Sequence, residues 1–293
     1  MMSTLSNNLL KIQISTHGAE LNSILGLNDN LEYLWNADEN YWKRHAPILF
    51  PIVGKLNNNT YRVNQKNYTL TQHGFARDSE FKIYSKENNS ITYILSSSIN
   101  SLKVYPYEFD LYVSYTLIKN KIEIKYSVKN KDSKKIYFSL GAHPGFNCPL
   151  LTDESINDYY FEFEKIETAY QQILDSKLGL FTGNSIPFFK NNNILDISND
   201  LFKNDALVFK NLDSKYIALK SRKSTKSIVL DFDGFPCVGL WSKPEGAPFV
   251  CIEPWFGHAD YVDFEDDFSK KAGILELPIG ETFDCNYSIT INQ

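Results

Sequence analysis

Cysteine is scarce in this chain, with four in 293 residues. Cys148, Cys237, Cys251 and Cys285 stand far apart, and no two form a C-x-x-C pair. That spacing excludes a zinc ribbon or a thioredoxin-type redox motif. Four cysteines in a chain this long do not make a disulfide scaffold either. Long apolar runs are also missing, since no stretch approaches the ~20 apolar residues of a membrane helix. The opening MMSTLSNNLLKIQIS has no basic patch leading into an apolar segment, so it does not read as a signal peptide. The expectation is a cytoplasmic protein with reduced thiols and no membrane partner. Charge of one sign is lacking as well: 30 basic and 35 acidic residues leave a net charge of -5. A nucleic-acid partner is not expected from that balance. HExxH, HxH and GxSxG patterns are absent, and "GLW" followed by "SKPEG" is no phosphate loop. These absences remove the standard zinc-hydrolase and serine-hydrolase signatures.

What the chain does have is a period of two. In "NLLKIQIS", Leu10, Ile12 and Ile14 alternate with Lys11, Gln13 and Ser15. In "KIEIKYSV", Ile122, Ile124, Tyr126 and Val128 alternate with Lys121, Glu123, Lys125 and Ser127. "YSITI" places Tyr287, Ile289 and Ile291 on one side. Strict alternation means half-buried strands, and 18 tyrosines and 20 phenylalanines suit pleated surfaces. Asparagine- and lysine-rich turn signals separate these runs at short intervals. One helix is expected, a short surface element over "FEDDFSKKAG" (264–273) ending at Gly273. No linker or repeat interrupts the chain. The pattern predicts an all-β protein, one large antiparallel β-sandwich domain over residues 1–293.

Four stretches break the alternation: "HAPILFPIVGKL" (45–56), "QHGFAR" (72–77), "GAHPGF" (141–146) and "CIEPWFGHAD" (251–260). Glycine and proline punctuate all four, which places them at strand ends or bends, where side chains converge on a cleft. His143 precedes Pro144, so its backbone is held extended, and Gly141 and Gly145 remove bulk beside it. By itself that pattern also fits a histidine bonded to a neighbouring carbonyl at a β-bend. Glu253 ends an apolar run just before Pro254. A carboxylate there either caps a turn in water or is a base tuned by partial burial. His73 and Arg77 share "QHGFAR"; a lone arginine is by default a surface ion-pair partner, whereas a functional one holds an oxyanion or hydroxyl through its fork. Lys55 serves as a point charge or as a solvated loop lysine. Asp205, in "NDALVF", is a turn aspartate or a carboxylate aimed at hydroxyls. His73, His143 and Glu253 are a conceivable metal set, but no preorganising pair supports one. Trp241, Trp255 and Phe146 stand near the motifs, as sugar-stacking platforms or as packing.

Taken in order, "HGAELNSI", "EYLW", "LFPIVGKL", "HGFAR", "GAHPGF", "NDALVF" and "IEPWFGHAD" resemble the aldose 1-epimerase (galactose mutarotase-like) family, in particular its LacX-like branch and the related glucose-6-phosphate 1-epimerases. The resemblance covers nearly the whole chain. It implies a β-supersandwich and an isomerase that interconverts the α and β anomers of an aldohexose or hexose phosphate. It further implies that His143 is the general acid, Glu253 the general base, His73 and Arg77 substrate-binding residues and Asp205 a hydroxyl-binding carboxylate. One departure stands out: the relatives commonly carry arginine where this chain has Lys55. Lysine keeps the charge but loses the bidentate fork, so a free sugar and a phosphorylated one both remain open. The chemistry implied needs no metal or organic cofactor. It requires His143 protonated and Glu253 ionised, lying across one sugar ring. A non-catalytic sugar-binding protein on the same fold is the competing expectation. Glycoside hydrolysis ranks below it, because that reaction usually needs two carboxylates.

Overall fold

Alternation becomes burial in the way the sequence predicts. Leu10, Ile12 and Ile14 are fully buried while the residues between them are not. Ile122, Ile124, Tyr126 and Val128 repeat the pattern, as do Tyr287, Ile289 and Ile291. Each such side chain contributes roughly 1.5–3 kcal/mol by leaving water, and period-two spacing puts them all on one face of a sheet.

The computed structural model describes residues 1–244 and 246–293. It consists of antiparallel sheets. A nine-stranded sheet runs in the order Asn192–Asp196, Tyr159–Glu167, Tyr216–Ser221, Ser227–Asp231, Thr282–Asn292, Lys121–Asn130, Phe109–Ile118, Ser90–Ser96, Lys82–Lys86. An eight-stranded sheet runs Leu180–Pro187, Tyr170–Asp175, Leu207–Lys210, Cys237–Trp241, Phe249–Phe256, Leu140–Ala142, Ile48–Leu49, and Gly145–Asn147 also pairs with Phe249–Phe256. A three-stranded sheet of Met2–Ser6, Leu10–Ser15 and Leu21–Gly26 adds its apolar face to the same core. The fold is an antiparallel β-supersandwich.

The eight-stranded sheet positions the site. Val250 and Ile252 of the strand Phe249–Phe256 join the main core between the sheets. Cys251 and Trp255, one step out of phase, join smaller apolar clusters on the other face. Both faces are covered, so every residue from Phe249 to Trp255 is buried. Glu253 shares the outer face with Cys251 and Trp255.

The expected helix over 264–273 does not form. Its place holds a single 3-10 turn, Phe268–Lys270, whose Asp267 cap accepts from the Ser269 N–H. Asp267 also accepts from the Asn64 N–H, and Arg62 bridges to Asp267 along the backbone. Phe268 is fully buried against Tyr61, with ring centroids 4.6 Å apart. These ties to the hairpin of Thr60–Val63 and Lys66–Thr69 hold the segment in turns and keep it from winding into a longer helix. All four cysteines are free, and among the described residues no helix is long and apolar enough to cross a membrane.

Candidate active site

His143 and Glu253 are cross-strand partners. Leu140–Ala142 and Gly145–Asn147 both pair with Phe249–Phe256, and the register is the same on either side of His143 and Pro144: Gly141 faces Trp255, and Gly145 faces Cys251. Carried across the break, that register sets His143 opposite Glu253. Directly opposed side chains on one face are near neighbours, and His143 Nε2 lies 3.1 Å from Glu253 Oε2. The glycines around His143 remove bulk as expected, and indole rings take up the space. A Cβ on Gly141 would stand 2.7 Å from Trp255 Cδ1, and one on Gly145 3.0 Å from Trp42 Cζ3. They make room for indoles, and the indoles in turn shape the site. Trp42 stacks on the His143 ring (centroids 4.8 Å apart, planes at 29°), and Trp241 meets its edge at 5.6 Å.

A cavity of about 360 Å³ opens on this face, within the usual range for small-ligand sites. All six residues singled out in the sequence line it: Lys55, His73, Arg77, His143, Asp205 and Glu253. Five separate segments of the chain bring them together. His73 and Asp205 both have positive φ, 67° and 83°, a conformation uncommon outside glycine and concentrated at functional sites. Hydrogen bonds to neighbouring backbone hold His73 there. Its N–H donates to Gly54 O, and its carbonyl accepts from the Phe50 N–H. The Gly54 N–H donates to His73 Nδ1 at 3.1 Å, so the neutral ring carries its proton on Nε2. The Arg77 side chain is only 15% exposed, yet it keeps an ion-pair neighbour, Asp78, whose Oδ2 lies 3.8 Å from Arg77 Nε. Arg77 Nη2 donates to Gln72 O, while the buried Nε makes no hydrogen bond. Asp205 Oδ1 accepts from the Ala206 N–H.

Lys55 is positioned from behind. The Asp260 N–H donates to the Lys55 carbonyl at 2.9 Å, Asp260 Oδ2 accepts from the Asn57 N–H, and Asp260 Oδ1 pairs with Lys271 Nζ at 2.7 Å. That ion pair is almost wholly buried. Removing one member of a buried pair strands the other charge, at a cost of about 3–5 kcal/mol, whereas replacing both with apolar groups is often neutral. Asp260→Ala is therefore expected to lower unfolding stability by about 3–5 kcal/mol in urea titrations. Asp260→Leu combined with Lys271→Met is expected to recover most of it, although the segment around Lys55 loosens in both.

Two features of the site were not read from the sequence. Trp42 comes from a loop with no motif around it. Phe181 lines the cavity from a strand whose partner segment, Tyr261, is eighty residues away. Neither carries a local signal beyond being aromatic.

Several buried polar atoms have no hydrogen-bond partner. Among the described residues they are Arg77 Nε, His143 Nδ1, Glu253 Oε2, Trp255 Nε1, Ser139 Oγ and Ser224 Oγ. Four of these belong to residues lining the cavity. The His143–Glu253 contact is thus at ion-pair distance without the alignment of a hydrogen bond. Unmet buried polar groups are costly, and their concentration here marks a place for a polar ligand.

A family model for aldose 1-epimerase matches residues 1–272. The chain belongs to the aldose 1-epimerase family. Its curated relatives include the plasmid-encoded and chromosomal LacX proteins of Lactococcus lactis subsp. lactis, each 37% identical over 98% of both chains. Among solved structures it is similar to a galactose mutarotase related enzyme from Lactobacillus acidophilus (TM-score 0.96, 36% identity, covering 100% of this chain and 98% of the other). It is also similar to a galactose mutarotase-like protein from Lactobacillus casei (TM-score 0.93, 34% identity, both chains fully covered). Membership makes the protein an isomerase acting in sugar chemistry.

The electrostatics of this epimerase-family cavity are set by burial. Burial, then the Arg77 charge, pushes the His143 imidazole down to about 3. Burial, then Asp205, pushes the Glu253 carboxyl well up. Both shifts favour the neutral forms, with the pair's proton on Glu253 in preference to His143. That reverses the charge state expected from the sequence, because desolvation of both groups outweighs their attraction. His73 is also held neutral, by burial first, with the Arg77, Arg44 and Lys55 charges around it acting the same way. Cys251 Sγ lies with His143 and Glu253 donor atoms within 4.8 Å of one another. Burial pushes that thiol well up, so it stays protonated and acts as packing, not as a thiolate ligand.

Proposed function

We propose that the protein interconverts the α and β anomers of an aldohexose, free or phosphorylated, with Glu253 and His143 exchanging protons with the sugar. The observation that carries this reading is the 3.1 Å contact between His143 Nε2 and Glu253 Oε2 at the wall of a sugar-sized cavity. The two groups meet at one point and do not lie across a ring. That suits the reaction, because the hydroxyl that loses a proton and the ring oxygen that gains one are both bonded to C1. Glu253 as carboxylate takes the C1 hydroxyl proton while His143 as imidazolium protonates the ring oxygen. The C1–O5 bond breaks, the aldehyde turns about C1–C2, and the steps reverse from the other face.

The proton count supports the assignment. The pair begins ring opening as ionised Glu253 with protonated His143, and ends as neutral Glu253 with neutral His143. Its net charge is zero at both ends, so a buried site carries no net charge through the cycle. The form favoured by burial is the one that faces the open-chain sugar. His73, with its proton on Nε2, and Arg77 are suited to donate to sugar hydroxyls, and Asp205 to accept from them. Lys55 supplies a point charge for a hydroxyl or phosphate oxygen.

The test is anomeric proton NMR on freshly dissolved α-glucose, α-galactose and glucose 6-phosphate. Added protein is expected to speed the approach to equilibrium with at least one of them, and the relative rates assign the role of Lys55. A folded protein that binds a sugar yet speeds none of the three would instead be a sugar-binding member of the family.

A further inference from the structure

Trp255 stands two residues beyond Glu253, on the same face of the same strand. Its indole is wedged between the two neighbouring strands at positions where only glycine leaves room. A Cβ on Gly141 would lie 2.7 Å from Cδ1, and one on Gly239 2.6 Å from Cη2. Gly239 is the residue paired with Glu253 itself, and Gly141 the one paired with Trp255. The ring therefore has a fixed place beside the carboxyl. Its Nε1–H is buried without a partner, and so is Glu253 Oε2. A buried indole normally finds an acceptor. Here an unmatched donor and an unmatched acceptor lie side by side on one strand face.

We infer that Trp255 is a positioning residue, whose Nε1–H donates to the Glu253 carboxylate when that group ionises, holding the base in place and favouring its charged form. The inference rests on the reading of Glu253 as the base. A protonated carboxyl is a weak acceptor and an ionised one a strong acceptor, so the bond forms at the stage where the base is needed. A hydrogen bond from Trp255 acts to lower Glu253, against burial and Asp205, which raise it. The ionisable groups facing Glu253 are His143 from the opposite strand break, Asp205 from the loop ahead of Leu207–Lys210, and Cys251 from its own strand. None of these changes when Trp255 is altered, and Gly239 brings no charge.

The experiment labels glutamate at its carboxyl carbon with ¹³C and titrates Glu253 by NMR, the signal being identified by its loss in Glu253→Gln. Two variants are compared with the unaltered protein: Trp255→Phe, and Trp255 replaced by benzothienylalanine, which keeps the bicyclic outline but has sulfur in place of the N–H. The expected result in both is a Glu253 midpoint raised by about one to two pH units. A loss of about ten- to a hundredfold in kcat/KM at neutral pH, with KM nearly unchanged, goes with it. An unshifted midpoint in the benzothienylalanine variant overturns the inference and leaves Trp255 as packing. A shifted midpoint in a protein that epimerises no hexose keeps the inference about Trp255 and overturns the reading of the function.

Discussion

Glu253→Gln is expected to lower the catalysed rate of anomer interconversion by about 10²–10⁴-fold, the usual contribution of a positioned acid or base. KM should change little, because glutamine keeps the shape and one carbonyl oxygen facing the sugar while losing the ability to take a proton. His143→Asn is expected to cost about the same. The double variant should be scarcely worse than either single one, since both act in one ring-opening step and groups that work as a unit are strongly non-additive. Saturation-transfer NMR between the anomeric protons measures all three. Two single losses that simply multiplied in the double variant would mean that the residues act at separate steps, which their 3.1 Å contact makes untenable. Stability should move the other way. Glu253 is about 99% buried with an unmatched oxygen, so an uncharged amide there is expected to leave the unfolding midpoint unchanged or raised, which separates the kinetic loss from misfolding.

The sequence made the types and neighbourhoods of these residues legible, but not their pairing. A carboxylate closing an apolar run and a histidine held before proline are local signals, and both pointed to the cavity. That His143 faces Glu253 depends on the register between segments 110 residues apart, which no local pattern encodes. Alternation identified the strands at Leu10–Ser15, Lys121–Asn130 and Thr282–Asn292, because each has one face on the core. It failed at Phe249–Phe256, where both faces are buried and the period is visible only in which cluster each residue joins. The segment 264–273 carried helical residues but is held by Asp267 and Phe268, so tertiary contacts overrode propensity. What Gly141 and Gly145 make room for was not legible for the same reason: the indoles that need the space come from elsewhere in the chain.

The stability of the folded protein is expected to fall by about 3 kcal/mol per pH unit on acidification from pH 6.5 to 4.5, and to fall more gently above 6.5. Three buried histidines are held neutral: His73, His143 and His258, the last pushed down to about 3 by burial and then by Lys210. His258 Nδ1–H donates to Ala259 O, while its Nε2 accepts from Lys210 Nζ at 3.1 Å, so protonation would set two cations against each other. A histidine with a lowered folded pKa binds fewer protons folded than unfolded below 6.5. Each then contributes about 1.4 kcal/mol of loss per pH unit. His143 is cancelled in this window by its partner: between 4.5 and 6.5 the unfolded pair holds its one proton on histidine, and the folded pair holds one on Glu253. Among the buried histidines, the slope in this window comes from His73 and His258. Above 6.5 the unfolded pair loses its proton while the folded pair keeps it, so stability declines by about 1.4 kcal/mol per unit until Glu253 ionises. Urea unfolding across pH 4.5–8.5 reads both limbs. Asparagine tolerates the left-handed backbone at position 73, so His73→Asn should halve the acid slope. Glu253→Gln should remove the neutral-to-alkaline decline, and a decline that survived it would assign the retained proton to a group other than this pair.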